Sequence, residues 1–174
     1  MVNLADILAR DVAKAARQRL AELLAILKHC LGQLSDEQVW WRPRDSMNCV
    51  ANVLLHLSGN VCQWLVCGIT EATDTRNRPQ EFSERGPIPK AELVRRLEEA
   101  VAQADAALGS LSADRLLEQR RIQGFETTVL SAIFASVSHF NGHTQEIVYA
   151  TRLQLGDGYR ILWTPATPAQ GAAP

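Results

Sequence analysis

The chain lacks an excess of charge of either sign. Its 174 residues include 18 lysines and arginines against 19 aspartates and glutamates, so the net charge at pH 7 is −1 and the pI is near 6.4. A surface without excess positive charge does not attract the phosphates of nucleic acid or the headgroups of anionic lipids. We therefore expect neither nucleic acid nor a membrane as a partner.

The sequence also shows no pattern that predicts a signal peptide or a transmembrane span, so we expect neither. Charged residues, among them Asp6, Arg10 and Lys14, lie where a secretory signal needs an apolar run. The most apolar window, residues 50–69, contains asparagine, histidine, serine and glutamine side chains that would be costly in lipid. This window is therefore interpreted as a core helix and not as a membrane span.

Paired cysteines and the common catalytic motifs are missing as well. The four cysteines, at positions 30, 49, 62 and 67, form no CxxC pair and lie in largely apolar segments. We expect buried, reduced thiols, which suit a cytoplasmic protein. The chain has no GxGxxG, P-loop, GxSxG or HExxH sequence. Strand signals are absent apart from a faint one at residues 120–125.

What the sequence does have is helical periodicity. Apolar residues at spacings of three, four and seven predict four long helices, over residues 3–34, 47–69, 90–108 and 127–155. Residues 70–89 are predicted to form a long loop, whose arginines either face a substrate or are simply solvated. The length suits one domain. We predict an all-α fold, with a single domain over residues 1–163 and a flexible C-terminal tail at residues 164–174.

Two of the predicted helices carry almost no charge. No Asp, Glu, Lys or Arg occurs in residues 46–70 or 127–145. A surface helix usually carries charge on its outer face, so both segments should be enclosed on most sides. On the earlier helix a polar stripe indicates a cavity with hydrogen-bonding walls. Three of its residues are candidate partners for bound water or substrate: Asn52, Asn60 and Gln63.

Three histidines lie on these two uncharged segments. His139 and His143 are four residues apart, which on a helix places both imidazoles on one face, about one turn apart. His56 lies on the same polar stripe as the amides. Three neutral imidazoles suit a divalent ion such as Zn²⁺ or Ni²⁺ and leave at least one ligand position for water or substrate. The alternative is that all three are core histidines without a metal.

Glu146 lies three residues after His143 and has three possible roles. Its carboxylate could orient a ligand imidazole, act as a base beside the metal, or pair with a cation such as Arg152. Orientation of a ligand from outside the coordination sphere is the commonest of these roles in metal sites, and we favour it.

The residues around the histidines resemble a known family. The runs Asn52-Val-Leu-Leu-His56-Leu-Ser-Gly-Asn60 and His139-Phe-Asn-Gly-His143-Thr-Gln-Glu-Ile-Val-Tyr149 are similar to the DinB/YfiT-like superfamily of metal-binding proteins, and especially to its DUF1572-type branch. The resemblance extends from residue 3 to about residue 163. It implies a four-helix bundle with long crossover connections. It also implies a homodimer, and one Ni²⁺ or Zn²⁺ per chain on His56, His139 and His143.

The same resemblance suggests what the protein does. Characterised relatives include S-transferases that use low-molecular-weight thiols, and metal-dependent hydrolases. We therefore expect a metal-dependent enzyme acting on a small-molecule substrate, and narrowly favour a thiol-dependent S-transferase over a hydrolase on family grounds. The hypothesis from another class is a protein that binds a metal or small ligand in stress response without turnover.

Overall fold

A computed structural model describes residues 3–163 and is mostly helical. The helices of this part of the chain are α1 (Leu4–Leu31), α2 (Asp36–Trp40), α3 (Val50–Thr70), α4 (Arg78–Ser83), α5 (Lys90–Gly109) and α6 (Val129–Leu155). Strands β1 (Gln119–Ile122) and β2 (Phe125–Thr128) form a hairpin between α5 and α6. The prediction of a mostly helical fold is confirmed, with helix ends displaced by a few residues. The tail predicted at residues 164–174 lies outside the described residues.

The ends of the helices follow from capping chemistry. Asn3 caps α1 by accepting a hydrogen bond from the backbone N–H of Ala5, and Thr128 caps α6 by accepting from that of Ser131. Ser35 and Gln38 form a reciprocal capping box at the start of α2. Gly156 ends α6 with a φ of 53°, a backbone conformation that residues with a Cβ rarely adopt.

The four long helices share one hydrophobic core. Helix α1 packs against α5 and α6, and α3 packs against the same two helices. The core is built mainly from leucines, with Phe140 as the largest fully buried side chain. Burial of these aliphatic side chains on four facing helices is the main favourable term in folding. The largest buried aliphatic side chains include Leu20, Leu23, Leu27, Leu54, Leu57, Leu93, Leu97 and Leu108.

Helix α3 runs through the interior of the protein. Its middle turn, Cys62–Cys67, is a π-helical segment, a local widening that is frequent at functional sites. Within residues 3–163 it is the one helix long and apolar enough to cross a membrane, but 56% of its most apolar window is buried against other parts of the protein. Such burial is typical of the core helix of a soluble globular protein.

Two segments differ from the sequence prediction. Residues 70–89, predicted as loop, contain α4, because Asn77 caps a turn that begins with Arg78-Pro79. The faint strand signal at residues 120–125 marks a genuine hairpin. Its turn, Gln123-Gly124, has positive φ at both positions, as tight hairpins require.

The cysteines are all free thiols in the structure. Cys30 and Cys49 are buried, as predicted, whereas Cys62 and Cys67, at the two ends of the π-helical turn, are only partly buried. Burial raises the pKa of the Cys30 thiol and of the Cys62 thiol above the usual value, so both are protonated at neutral pH.

Candidate metal centre

The structure brings the three histidines into one cluster. His56 comes from α3, and His139 and His143 come from successive turns of α6. One nitrogen from each ring lies within 4.8 Å of the others, and the ring centroids are 4.5 to 5.1 Å apart. His56 is buried, with 4% of its surface exposed, while the other two are partly exposed. The cluster therefore has an inner wall and an outer side that ligands can reach.

The spacing of one pair of ligand atoms is close to that of two ligands on a single ion. Nε2 of His56 lies 2.8 Å from Nε2 of His139. Two nitrogens bound at about 2.1 Å to one metal lie roughly 3.0 Å apart at a right angle and roughly 3.4 Å apart in a tetrahedron. A shift of a few tenths of an ångström therefore converts this contact into a pair of metal ligands, without rearranging either helix.

Glu81, on α4, orients the imidazole of His56. Its Oε2 lies 3.0 Å from His56 Nδ1. An ionised carboxylate only accepts hydrogen bonds, so we assign the imidazole proton to Nδ1. Arg76 Nη2 also lies 3.0 Å from Nδ1 and, as a donor, could favour an unprotonated Nδ1. However, Nη2 already donates to Glu81 Oε2 at 2.8 Å, so Nδ1 is not needed as its acceptor. This assignment leaves a lone pair on Nε2 of His56, facing the other histidines.

Arg76 and Glu81 form a buried ion pair behind His56. Arg76 Nε donates to Glu81 Oε1 at 2.7 Å, and the two side chains are 3% and 10% exposed. Burial by itself would raise the pKa of Glu81, but its hydrogen bonds to Arg76 and His56 outweigh burial and lower the pKa below the usual value. Glu81 is thus ionised at neutral pH and holds the ring of His56 in place.

A second carboxylate orients the outer histidine. Oε2 of Glu146 lies 2.6 Å from Nδ1 of His143, three residues earlier on the same helix. The hydrogen bond to His143 lowers the pKa of Glu146, so the carboxylate is ionised and accepts the Nδ1 proton. Two of the three histidines therefore carry the carboxylate–imidazole pairing that is usual among metal ligands.

His139 is held in its neutral form. Its partial burial, followed by the nearby charges of His143, His56, Arg76 and Arg78, lowers its pKa from 6.5 to about 4. A histidine must be deprotonated at one nitrogen to bind a metal. His139 is thus deprotonated at neutral pH and can offer a lone pair to a cation.

A small cavity adjoins the cluster. Its volume is about 200 Å³, and His56 and His139 form part of its wall. Asn60 and Ser136 are also in the wall, and the Ser136 hydroxyl donates to Asn60 Oδ1 at 3.3 Å. The remaining wall residues are Trp64, Arg78, Gln123 and Ala135. The polar, uncharged stripe predicted on the second long helix does face a cavity, at the positions of His56 and Asn60.

The two other amides of that stripe face elsewhere. Asn52 donates from Nδ2 to the backbone oxygens of Glu81 and Glu84, at 2.9 and 3.0 Å, and so attaches α4 to α3. Gln63 accepts from Arg76 Nη1 at 2.8 Å and donates to Asp74. The structure therefore places Asn52 and Gln63 behind the histidines, around the Arg76–Glu81 pair, and only Asn60 in the cavity wall.

Sequence reasoning did not identify Arg76 and Glu81 as part of the site. Both lie in the segment predicted as a loop, so no helical face connected them to His56. The available signal was Asn77-Arg78-Pro79, a typical helix start, which places Glu81 on a short helix. The contact with His56 itself depends on how residues 71–77 cross back over α3, and local sequence does not determine this path.

Comparisons with known proteins support the resemblance to the DUF1572 family, and they do not extend to the wider DinB/YfiT-like superfamily. The sequence model for "Protein of unknown function (DUF1572)" matches residues 7–167. A crystal structure of a conserved protein from Enterococcus faecalis is similar in fold, with a TM-score of 0.60 and 15% identity over 90% of this chain and 99% of that one. None of the curated proteins matches significantly. The histidine cluster thus occurs in a chain that belongs to the DUF1572 family.

Proposed function

We propose that the protein binds one divalent metal ion, Ni²⁺ or Zn²⁺, through His56, His139 and His143. The observation that carries this proposal is the pairing of Glu81 and Glu146 with Nδ1 of two of the histidines. An ordinary core histidine satisfies its one donor and one acceptor nitrogen with separate hydrogen-bond partners. Here three imidazoles converge, and ionised carboxylates lie behind two of them, an arrangement that is usual for metal ligands.

We further propose that the ion is catalytic. Three protein ligands leave at least one position for water or substrate, and the cavity beside His56 and His139 gives a small molecule access to it. A divalent ion supplies Lewis acidity, which lowers the pKa of a thiol or water at that position. The protein's own carboxylates orient His56 and His143, burial holds His139 neutral, and Asn60 and Ser136 offer hydrogen bonds to the substrate.

The reaction class proposed first is S-transfer from a low-molecular-weight thiol, with hydrolysis as the alternative. This choice comes from the resemblance to the DinB/YfiT-like superfamily alone. On the same ground we propose a four-helix bundle with crossover connections, a homodimer and a cytoplasmic location. One feature of the geometry favours a catalytic ion over a stored one. Glu146 is engaged with Nδ1 of His143 and its side chain is 53% exposed, so it orients a ligand and leaves the outer side of the cluster open.

Elemental analysis of protein purified without an affinity tag tests the metal site. We expect about one Ni or Zn per chain in the wild type, and loss of that metal in the His56→Ala and His143→Ala variants. His29→Ala is the matched control, because His29 is the one histidine outside the cluster and bonds to the backbone oxygen of Arg160. Full metal content in both cluster variants would disprove the site.

Activity assays then decide the reaction class. Metal-loaded protein is incubated with small thiols and an electrophile, and separately with small esters and amides. Thiol consumption that requires His56 supports the transferase, and ester or amide cleavage that requires it supports the hydrolase. A metal-loaded protein that turns over neither class would favour the non-enzymatic, ligand-binding hypothesis.

A further inference from the structure

The cavity beside the histidines has one cation and no acid in its wall. Arg78 and the amide of Asn60 line it, no aspartate or glutamate does, and the amide of Gln123 already donates to Gln63. The only hydrogen bond of the Asn60 side chain within residues 3–163 is the one that its Oδ1 accepts, so its NH₂ group is left to donate. A wall of this composition favours a ligand that accepts hydrogen bonds.

The indole ring of Trp64 lies beside the same cavity, but its N–H group is enclosed. Nε1 is fully shielded from solvent, and no acceptor for it exists in the described part of the chain. Leaving a buried donor unpaired is costly, but an atom closed to a water-sized probe does not contact a ligand in the cavity, so Trp64 serves here only as a neighbouring reporter group. Trp64 lies two turns after His56 on α3 and lines the same cavity.

Arg78 supplies a positive charge at this cavity. Its guanidinium lies 4.9 Å from the centre of the Phe82 ring, and Phe82 packs on the His56 ring at 4.8 Å. Among the described residues Arg78 has no ion pair or hydrogen bond through its side chain, whereas Arg76, two residues earlier, is fully paired with Glu81. The aromatic stack thus holds an available cation beside the histidines.

We propose that this cavity binds the carboxylate group of a small-molecule substrate. Arg78 provides the counter-charge, and the NH₂ group of Asn60 donates to a carboxylate oxygen. One cation with no neighbouring acid suits a monoanion better than a phosphate dianion. The inference rests on the proposed function in one respect: the carboxylate would hold the rest of the substrate beside the ion at His56 and His139.

Indole N–H signals in ¹⁵N-labelled, metal-free protein test this proposal. The chain has four tryptophans, and the Trp64 signal is assigned with a Trp64→Phe variant. Propionate, its neutral isostere propionamide, and inorganic phosphate are titrated separately at pH 7.5. We expect saturable movement of the Trp64 signal with propionate, and binding of the other two that is at least tenfold weaker. Equal responses to propionamide or to phosphate would overturn the carboxylate assignment.

Arginine variants locate the charge. Arg78→Gln should weaken propionate binding about tenfold or more, because a hydrogen-bonded charge is lost, and Arg78→Lys should retain part of it. Arg44→Gln is the matched control, since Arg44 is exposed and lies outside the cavity wall. Unchanged binding in Arg78→Gln would disprove the role of Arg78.

The metal-free design separates the two proposals. If the metal-free protein binds propionate and elemental analysis finds no metal in the purified protein, the carboxylate site is supported and the metal site is disproved. If the protein contains the metal but does not bind propionate, the metal site is supported and the carboxylate site is disproved. If Arg78→Gln fails to fold, the comparison of propionate with propionamide in the wild type still decides.

Discussion

At the residue scale, Glu81 connects stability to the proposed metal site. Its carboxylate neutralises buried Arg76 and accepts the Nδ1 proton of His56. The same atoms therefore serve both an ion pair and the orientation of a ligand. Glu146 performs only the second task, on the exposed side of the cluster. The two carboxylates form a natural pair for comparison.

We expect Glu81→Gln to weaken both folding and metal binding. Removal of one partner leaves Arg76 buried without a counter-charge, at a cost of about 3–5 kcal/mol in the free energy of unfolding. Loss of the orienting carboxylate should reduce metal affinity about 10- to 100-fold. Urea unfolding and metal titration measure the two effects. Glu146→Gln should lower the affinity with little change in the urea midpoint, and equal affinities in all three proteins would contradict the orienting role.

The histidine cluster also predicts a pH dependence of the metal-free protein. The pKa of His139 is about 4 in the folded protein, against 6.5 ordinarily. Between these values the unfolded chain binds a proton that the folded chain does not, so the free energy of unfolding falls as pH falls from about 6.5 to about 4. The lowered pKa values of Glu81 and Glu146 act only below their ordinary value of 4.5.

Urea unfolding at a series of pH values measures this slope. We expect the midpoint of the wild type to decrease between about pH 6.5 and pH 4.5, and that of His139→Asn to decrease less. A wild type and variant with parallel profiles over this range would show that protonation of His139 is not the cause.

At the scale of elements, Gly59 allows α3 and α4 to approach. A Cβ at Gly59 would overlap Oε1 of Glu81 and lie 2.8 Å from Arg76 Nε. Helix α4 and the preceding loop therefore pack onto α3 where its surface has no side chain. Gly142, on α6, is a contrasting case, because a Cβ there meets nothing within 4 Å.

The two glycines are expected to respond oppositely to alanine. Ala is a better helix former than Gly by about 1 kcal/mol, so Gly142→Ala should stabilise the fold by up to that amount. Gly59→Ala must displace the Arg76–Glu81 pair and should both destabilise the protein and weaken metal binding. Thermal unfolding and metal titration of the two variants check this, and a Gly59→Ala protein with unchanged metal affinity would contradict the link between the ion pair and His56.

At the scale of the whole molecule, the proposed metal joins α3 to α6. A ligand that binds only the folded state stabilises it by about 2.7 kcal/mol at a free concentration 100 times its dissociation constant. For a chain of this size each kcal/mol corresponds to roughly 2–4 °C. Zn²⁺ or Ni²⁺ should therefore raise the melting temperature by about 5–10 °C, reversibly with a chelator. An equal rise in His56→Ala would place the stabilising ion elsewhere.

Sequence alone determined the long helices and the histidine pair. Periodic apolar residues and capping groups act over a few positions, so the helix ends near Ser35, Thr128 and Gly156 follow from local chemistry. His139 and His143 share a face because of helical geometry alone. The uncharged segment of α3 indicated correctly that this helix lies in the interior, which is how His56 could be joined to the pair. The same expectation was wrong for α6, which buries one face and leaves Phe134 and Tyr149 exposed, at 63% and 70%.

Only the tertiary structure decided what surrounds the histidines. The Arg76–Glu81 pair, the placement of Asn52 and Gln63 behind His56, and the cavity with Trp64 and Arg78 depend on the path of residues 71–89 across α3. That path is set by long-range packing, including the gap at Gly59, and leaves no periodic signal in the sequence. Side chains far apart in the chain meet there because burying a charge requires a partner, and the fold determines which partner lies within reach.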